Sequence, residues 1–313
     1  MTLEVSDSTR QDYAARVNRV IDHLEAHLGE PLDLPTLARV ACFSPFHFHR
    51  LFRAWTGEPL SAYVQRLRLE QAANQLGHQR RKPITEIALD CGFGSASAFA
   101  RAFRAHHGCT ASEWRDRQFR KLDQGARKGG TAEPGAGTGN FSPSGRSRAM
   151  EASVIPVPLT VRIEDMPDLT LAYVRHMGAV FNGPELFPRL VRQVRAWAGG
   201  RELLGPDTPS MLIYADNPEV TPEDRQRLDV AVAVPTGTVA EGEVGVKVLP
   251  GGRWAMARID ITPDQYETAW RTFLADWLPG SGWELDDRTA MQITRQPPGV
   301  RHIADLCLPV RPQ

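Results

Sequence analysis

A segment that occurs twice in the N-terminal third limits the possible folds of this 313-residue chain more than any other feature. The stretch that begins at Leu37 (LARVACFSPFHFHRLFR) recurs from Ile87 (IALDCGFGSASAFARAFR). Phe43 aligns with Phe93, and the second copy then carries one extra residue, Gly94, before the alignment resumes. A segment repeated within one chain indicates a structural unit that is used twice.

Each copy predicts two helices joined by a tight turn. Ser44 and Pro45 start the second helix of the first copy, because serine caps a helix and proline lacks only an N–H that has no partner there. Ser95 takes the same place in the second copy. Between the copies, apolar residues at helical spacing predict one long helix from Leu60 to Leu76. That helix would fix the separation of the two units.

The second helix of each copy has a face suited to DNA. Phe48 and Phe52, like Phe99 and Phe103 in the second copy, form an apolar stripe that leaves an arginine on the opposite face, namely Arg50 or Arg101. Two rigidly joined helix-turn-helix units are what a protein needs to read two successive major-groove faces. The alternative is a helical bundle with a duplicated hairpin, but a bundle has no need of matched exposed arginines.

Residues 10–120 resemble the DNA-binding region of the AraC/XylS family, most specifically from Ile84 to Gly108. The resemblance implies that double-stranded DNA and RNA polymerase are partners, and that bases are contacted from the first turns of two recognition helices. By position, the base-contacting residues are Phe46, His49, Arg50, Ala96, Ser97 and Arg101. Arg53, Arg104, Arg115 and Lys121 are candidates for phosphate contacts, which set register rather than sequence choice.

The middle of the chain predicts a linker. Residues 124–152 are rich in glycine, serine and proline, so we expect an all-α domain at 1–123 and a second domain at 153–313. Residues 1–128 hold 19 basic and 14 acidic residues, whereas residues 152–313 hold 16 basic and 21 acidic ones. This asymmetry favours contact between only the first half and a polyanion.

A weaker repeat predicts an α+β fold for the second domain. Met166–His176 aligns with Leu249–Ile259, and the helices that follow also align. Strands are predicted at Met211–Tyr214 and Leu228–Val234 in the first half, and at Ala290–Thr294 and Ile303–Val310 in the second. Two β-α-β-β units are expected to share one antiparallel sheet with both helices on one face and a cleft on the open side.

The second domain resembles the GyrI-like effector-binding domain over residues 157–311. The resemblance rests on the repeat, on the run YADNP from Tyr214 and on the run WLPGSGWEL from Trp277. It implies a small-molecule effector, held by residues that we predict to be Tyr173, Phe181, Tyr214, Trp254 and Gln292. Many members place a buried glutamate for a cationic ligand where this chain has Gln292. A neutral amide cannot neutralise a buried cation, so a neutral, aromatic or apolar ligand is favoured.

Other features exclude or leave open further functions. The polar N-terminus, the scattered cysteines and the absence of a long apolar run predict a cytoplasmic protein without membrane segments. No catalytic motif, cofactor motif or metal-ligand spacing is present; His47 and His49 point apart on a helix. We therefore expect a ligand-responsive activator with no catalytic, cofactor or metal site. The alternatives are that the second domain is a hydrolase, or that it binds only a protein partner.

Overall fold

The computed structural model describes residues 7–128, 159–179, 185–296 and 301–312. Two compact units make up these residues. Helices of the first stretch are α1 (Asp7–Ala26), α2 (Leu34–Val40), α3 (Pro45–Thr56), α4 (Leu60–His78), α5 (Ile84–Asp90), α6 (Ala96–His107) and α7 (Ala111–Lys128). Residues 124–128 of the predicted linker are thus helical, and its remainder lies outside the described residues. Within the described stretches, no helix combines the length and apolarity that crossing a bilayer requires.

The repeat has the predicted local structure. Ser44 and Ser95 each accept a hydrogen bond from the backbone N–H three residues later, at 3.4 and 3.2 Å. Gly57 and Gly108 end α3 and α6 with left-handed φ angles of 78° and 71°, which glycine adopts without a steric penalty. The same start and stop signals therefore set the length of both second helices.

The two helix-turn-helix units also pack alike. The ring of Phe52 meets Tyr63 edge-on at 5.2 Å, and the ring of Phe103 meets Trp114 edge-on at 6.1 Å. All four side chains are buried. Edge-to-face aromatic pairs add about 0.5–1.5 kcal/mol to their burial. Each recognition helix is therefore anchored through the same position to the helix that follows it.

Helix α4 holds both units, as the sequence predicts. Towards the first unit, the Arg68 guanidinium donates to the carbonyl oxygens of Leu28 and Glu30 at 3.0 and 2.7 Å. Towards the second unit, the indole N–H of Trp114 donates to the Ala73 carbonyl at 3.1 Å. These bonds fix α4 against the backbone of both helix-turn-helix units. The two helix-turn-helix units are therefore held together through α4.

A buried ion cluster on α4 was not predicted. Arg66 donates to Glu58 at 2.7 and 2.9 Å and to Glu70 at 3.1 and 3.2 Å. The three side chains are at most 9% exposed. The guanidinium also lies 4.8 Å from the centre of the Tyr63 ring. The cluster joins the end of the first helix-turn-helix unit to the middle of α4.

The end of α6 carries a histidine that is held neutral. Burial, with a smaller contribution from His106, lowers the pKa of His107 to about 4. Its ring packs 4.4 Å from Phe103 and 4.8 Å from Trp114. Its Nε2 has no hydrogen-bond partner among the described residues, so protonation there would create a buried donor without an acceptor. The neutral His107 ring therefore contributes packing rather than charge to the end of α6.

Acid should weaken the helical unit through His107. Below pH 6.5, His107 binds a proton in the unfolded chain but not in the folded one. The free energy of unfolding therefore falls as pH drops from 6.5 towards 4. Discounted for partial exposure, the loss is about 2 kcal/mol. Urea denaturation of wild type and His107→Gln across this range measures it. The difference between the two proteins should change with pH; a constant difference would contradict the prediction.

The C-terminal part of the chain forms one antiparallel sheet, called the sheet unit below, on which helices lie. Its strands are β1 (Thr160–Met166), β2 (Leu169–Met177), β3 (Ser210–Tyr214), β4 (Arg227–Ala233), β5 (Gly245–Leu249), β6 (Gly252–Ile261), β7 (Trp283–Leu285), β8 (Met291–Thr294) and β9 (His302–Pro312). The order in the sheet is β1-β6-β9-β8-β3-β4-β2-β5, and β7 pairs with β9 at the side. Strands β8 and β3 thus pair at the centre, where the two predicted halves meet. The predicted fold class is confirmed.

Two helices lie on this sheet. Helix α8 (Leu186–Gly199) packs against β2 and β4 of the first half. Helix α9 (Tyr266–Arg271), continued by a π-helical turn at 272–277, packs through Ala269 and Phe273 on the apolar residues of β6 and β9. The first half and the second half therefore each bury a helix, as their sequence repeat predicts.

Strand alternation separates two sets of side chains. One apolar cluster is formed by Leu171, Tyr173, Met211, Ile213, Ala231, Leu249, Trp254, Met256, Met291, Ile293 and Cys307. The residues between them point to the other face, which α9 covers through a separate cluster that includes Ala255 and Leu306. Tyr214 and Gln292 belong to this helix-bearing face, since Ile213 and Met291 beside them belong to the first cluster.

Candidate DNA-binding surface and ligand site

The first recognition helix, α3, presents its predicted base-reading residues to solvent. Phe46 is 74% exposed, which is unusual for a large apolar side chain in a folded unit. His49 and Arg50 are exposed as well. The Arg50 guanidinium lies 5.8 Å from the centre of the Phe46 ring, so the two side chains form one projecting group.

The second recognition helix, α6, presents a smaller surface at the same positions. Ala96, Ser97 and Arg101 are all exposed. The hydroxyl of Ser97 lies 3.3 Å from the hydroxyl of Ser95, the residue that caps the helix. Arg101 is thus the only long polar side chain among the three predicted base contacts of this helix.

The candidate phosphate contacts divide into two groups. Arg53 and Arg104 are exposed near the ends of their helices, where a DNA backbone can reach them. Arg115 instead donates to the Lys82 carbonyl at 2.7 Å, and this bond ties α7 to the segment before α5. The side chain of Lys121 lies outside the described residues.

The predicted ligand residues do not form one pocket. Tyr173 and Trp254 are at most 1% exposed and lie within the apolar cluster on the face opposite α9. Tyr214 and Gln292 lie on the helix-bearing face, and Phe181 lies outside the described residues. The expectation of a single aromatic cleft on the open side of the sheet is therefore corrected. Tyr214 and Gln292 meet on the helix-bearing face, whereas Tyr173 and Trp254 belong to one cluster on the other face.

Gln292 stands at the centre of a chain of hydrogen bonds. The Tyr214 hydroxyl donates to Gln292 Oε1 at 3.2 Å, and Gln292 Nε2 donates to the Tyr266 hydroxyl at 3.1 Å. Tyr266 in turn lies 3.1 Å from His302 Nδ1. Trp270 of α9 meets the Tyr214 ring edge-on at 5.8 Å. The chain thus joins the central strands to α9, and both ends of the Gln292 amide are used.

The two phenol groups in this series of hydrogen bonds, Tyr214 and Tyr266, are uncharged. Burial raises the pKa of Tyr214 and that of Tyr266, so both remain protonated at neutral pH. Gln292 is 4% exposed, whereas Tyr214, Tyr266, His302 and Trp270 are half-buried. The site therefore offers aromatic faces and neutral hydrogen-bonding groups rather than a carboxylate.

Two Arg–Asp pairs, which the sequence analysis does not predict, lie on the opposite face of the sheet. Arg175 pairs with Asp229 at 2.7 Å, and Arg258 pairs with Asp305 at 2.5 Å. The repeat had already aligned Arg175 with Arg258. The signal for their partners was the run LDVAV from Leu228, which matches ADLCL from Ala304 in both the aspartate and the alternation.

Comparisons with known proteins agree with this architecture. Residues 37–117 match the helix-turn-helix domain model, and residues 159–311 match the model of the GyrI-like small molecule binding domain. Regulatory protein SoxS of Salmonella typhimurium is 33% identical over 101 residues, which cover 32% of this chain and 94% of SoxS. The chain belongs to the AraC/XylS family of transcription regulators.

Other relatives of this AraC/XylS regulator also match over about a third of the chain. Transcriptional regulator Rob of Salmonella typhimurium is 36% identical over 109 residues, which cover 33% of this chain and 37% of Rob. The chain therefore spans little more than a third of Rob. A solved AraC-type DNA-binding regulator from Chromobacterium violaceum is 32% identical with a TM-score of 0.32, covering 33% of this chain and 91% of that one. The family matches point to a DNA-binding regulator with a small-molecule-binding domain rather than to an enzyme.

Proposed function

We propose that this AraC/XylS regulator is a cytoplasmic, ligand-responsive activator that reads two adjacent major-groove segments and recruits RNA polymerase. The observation that carries the proposal is the pair of identically capped helices, α3 and α6, held on one α4 and each exposing an arginine at the same position. Residues 1–123 would be the DNA reader and residues 153–313 the sensor.

The two recognition helices would read DNA by different means. Arg50 can pair bidentately with guanine, and the exposed Phe46 ring beside it can pack on a thymine methyl group. Of the three predicted base contacts in α6, Arg101 has the longest reach, because Ala96 and Ser97 are short. Specificity should therefore be sharper in the half of the site that α3 occupies.

Arginine substitutions test the assignment of the recognition helices. After genomic footprinting has located a native site, Arg50→Ala and Arg101→Ala should each weaken binding to it by about 1–3 kcal/mol, or roughly 5- to 150-fold. Arg53→Ala should instead weaken binding to all duplexes alike. The matched control is Arg19→Ala, which removes an exposed charge from α1. Unchanged footprints for both recognition-helix variants would refute the proposal.

For the sensor, we propose a neutral aromatic or apolar effector at the Tyr214–Gln292 site. The support is chemical: Tyr214, Gln292 and Tyr266 are uncharged, the two phenols are half-buried, and the three are joined by hydrogen bonds that an effector could exchange for its own. A buried cation would find no carboxylate among these side chains.

Ligand panels test the chemistry of the sensor. Neutral aromatic compounds should quench tryptophan fluorescence saturably, because Trp270 borders the site. Gln292→Glu should shift preference towards aromatic cations by about tenfold or more, since a buried carboxylate favours a positive partner. Gln292→Leu, which keeps the volume but not the hydrogen bonds, should bind both classes weakly. If no compound gives a saturable response, the domain binds a protein partner instead; hydrolysis of a bound compound would indicate an enzyme.

A further inference from the structure

A second charged centre lies on the sheet face opposite α9. Asp305 of β9 is fully buried, and it accepts hydrogen bonds from Arg162, Arg258 and Arg295. The closest contacts are 2.5 Å from Arg258 and 2.6 Å from Arg295. Three guanidinium groups therefore converge on a single carboxylate.

The strand register explains the convergence. Arg258 on β6 stands directly opposite Asp305, and Arg162 on β1 stands one strand further out, opposite Met256. Arg295 follows β8, the strand on the other side of β9. Alternation places all four side chains on one face, so the guanidinium groups reach Asp305 from both flanks.

The aligned Arg–Asp pair in the first half is buried more deeply. Arg175 and Asp229 form a pair in which both side chains are at most 1% exposed. Around Asp305, by contrast, three arginines face Asp305 and Glu164, and Glu164 binds only the outer Arg162, at 2.5 Å. The cluster around Asp305 thus has three positive charges, those of Arg162, Arg258 and Arg295, and two negative ones, those of Asp305 and Glu164.

The excess charge is accessible. Arg258 is 47% exposed, and Arg162 and Arg295 are each 34% exposed. Asp305 stays ionised under all ordinary conditions: burial would raise the pKa of its carboxyl, but the hydrogen bonds from Arg162, Arg258 and Arg295 lower it to about 2. The arginines are therefore held in place by a constant charge while a third to a half of each side chain remains exposed.

We propose that Arg258 and Arg295, positioned by Asp305, form a binding site for a small oxyanion, a carboxylate or a phosphate. A guanidinium has five N–H donors, and Asp305 engages only the Nε and Nη2 edge of each of these two arginines. The other Nη N–H groups of both arginines are held in place by this shared buried partner and can donate to a carboxylate or a phosphate. Pre-positioning removes the cost of ordering long side chains on binding. The site lies on the face opposite the Tyr214–Gln292 site, so it is independent of the effector proposed there.

Titration of the full chain with three probes tests the site. Sodium benzoate, sodium phosphate and neutral benzamide are compared by calorimetry at constant ionic strength. Benzoate or phosphate should bind saturably and shift the NMR signals of the Arg258 and Arg295 Nε–H groups, whereas benzamide should not. Binding of one anion but not the other identifies the source of the oxyanion; failure of both overturns the proposal.

Matched variants separate a site from general charge attraction. Arg258→Gln and Arg295→Gln should each lower anion affinity about tenfold or more. In each variant Asp305 keeps two arginine partners, so we expect the protein to remain folded. The control is Arg301→Gln, which removes an exposed charge from the Arg301–Asp260 pair without touching Asp305. Equal losses in all three variants, or no loss in the first two, would overturn the proposal.

Discussion

Replacement of Arg66 by methionine is expected to destabilise the helical unit by about 3–5 kcal/mol. The substitution keeps much of the volume of the side chain but removes the cation that Glu58 and Glu70 share. Both carboxylates are less than 10% exposed, so water cannot replace the lost contacts. Hydrogen exchange of peptides from α4, together with urea denaturation followed by circular dichroism, measures the loss.

A further pair of substitutions distinguishes charge from packing. Without the Arg66 cation, the Glu58 and Glu70 carboxylates remain in a buried site that has lost its arginine, which is unfavourable. Adding Glu58→Gln and Glu70→Gln should therefore recover much of the stability. Asp12→Asn, which breaks the exposed Asp12–Arg16 pair, serves as control and should cost less than about 0.5 kcal/mol. If the two glutamine substitutions recover no stability, the loss comes from packing and this account is wrong.

The helical unit was predictable because its signals are local. Caps, turn glycines and apolar spacing act within a few residues, and they placed α3 and α6 correctly at Ser44 and Ser95. The Arg66 cluster could not be predicted in this way. The sequence shows a charged residue on a helix, but it does not show whether that residue is exposed or is buried with partners.

The sheet unit shows where local signals end. The strands at 211–214, 228–234, 290–294 and 303–310 were placed to within about two residues, since period-two alternation is a property of the strand itself. Which face each strand turns to α9 depends on pairing across the sheet. For that reason the sequence grouped Trp254 with Tyr214 in one cleft, although register sends them to opposite faces.

The same register gives the second large effect, which is expected for Asp229→Asn. Arg175 donates to the two Asp229 oxygens at 2.7 Å each, and its guanidinium lies 5.0 Å from the Tyr173 ring. The neutral amide leaves a buried cation facing a weaker acceptor, which should cost about 3–5 kcal/mol in the sheet unit. The loss should appear first as faster hydrogen exchange in β2 and β4.

Asp260→Asn is the matched control for that substitution. Asp260 pairs with Arg301 on the same sheet, but both side chains are more than half exposed, so its loss should cost less than about 0.5 kcal/mol. A large difference between the two asparagine variants means that burial, not the presence of an ion pair, makes the Arg175–Asp229 pair important. If both variants cost the same, the pair contributes no more than a surface contact. Burial of the Arg175–Asp229 pair would then add nothing to the stability of the first half of the sheet.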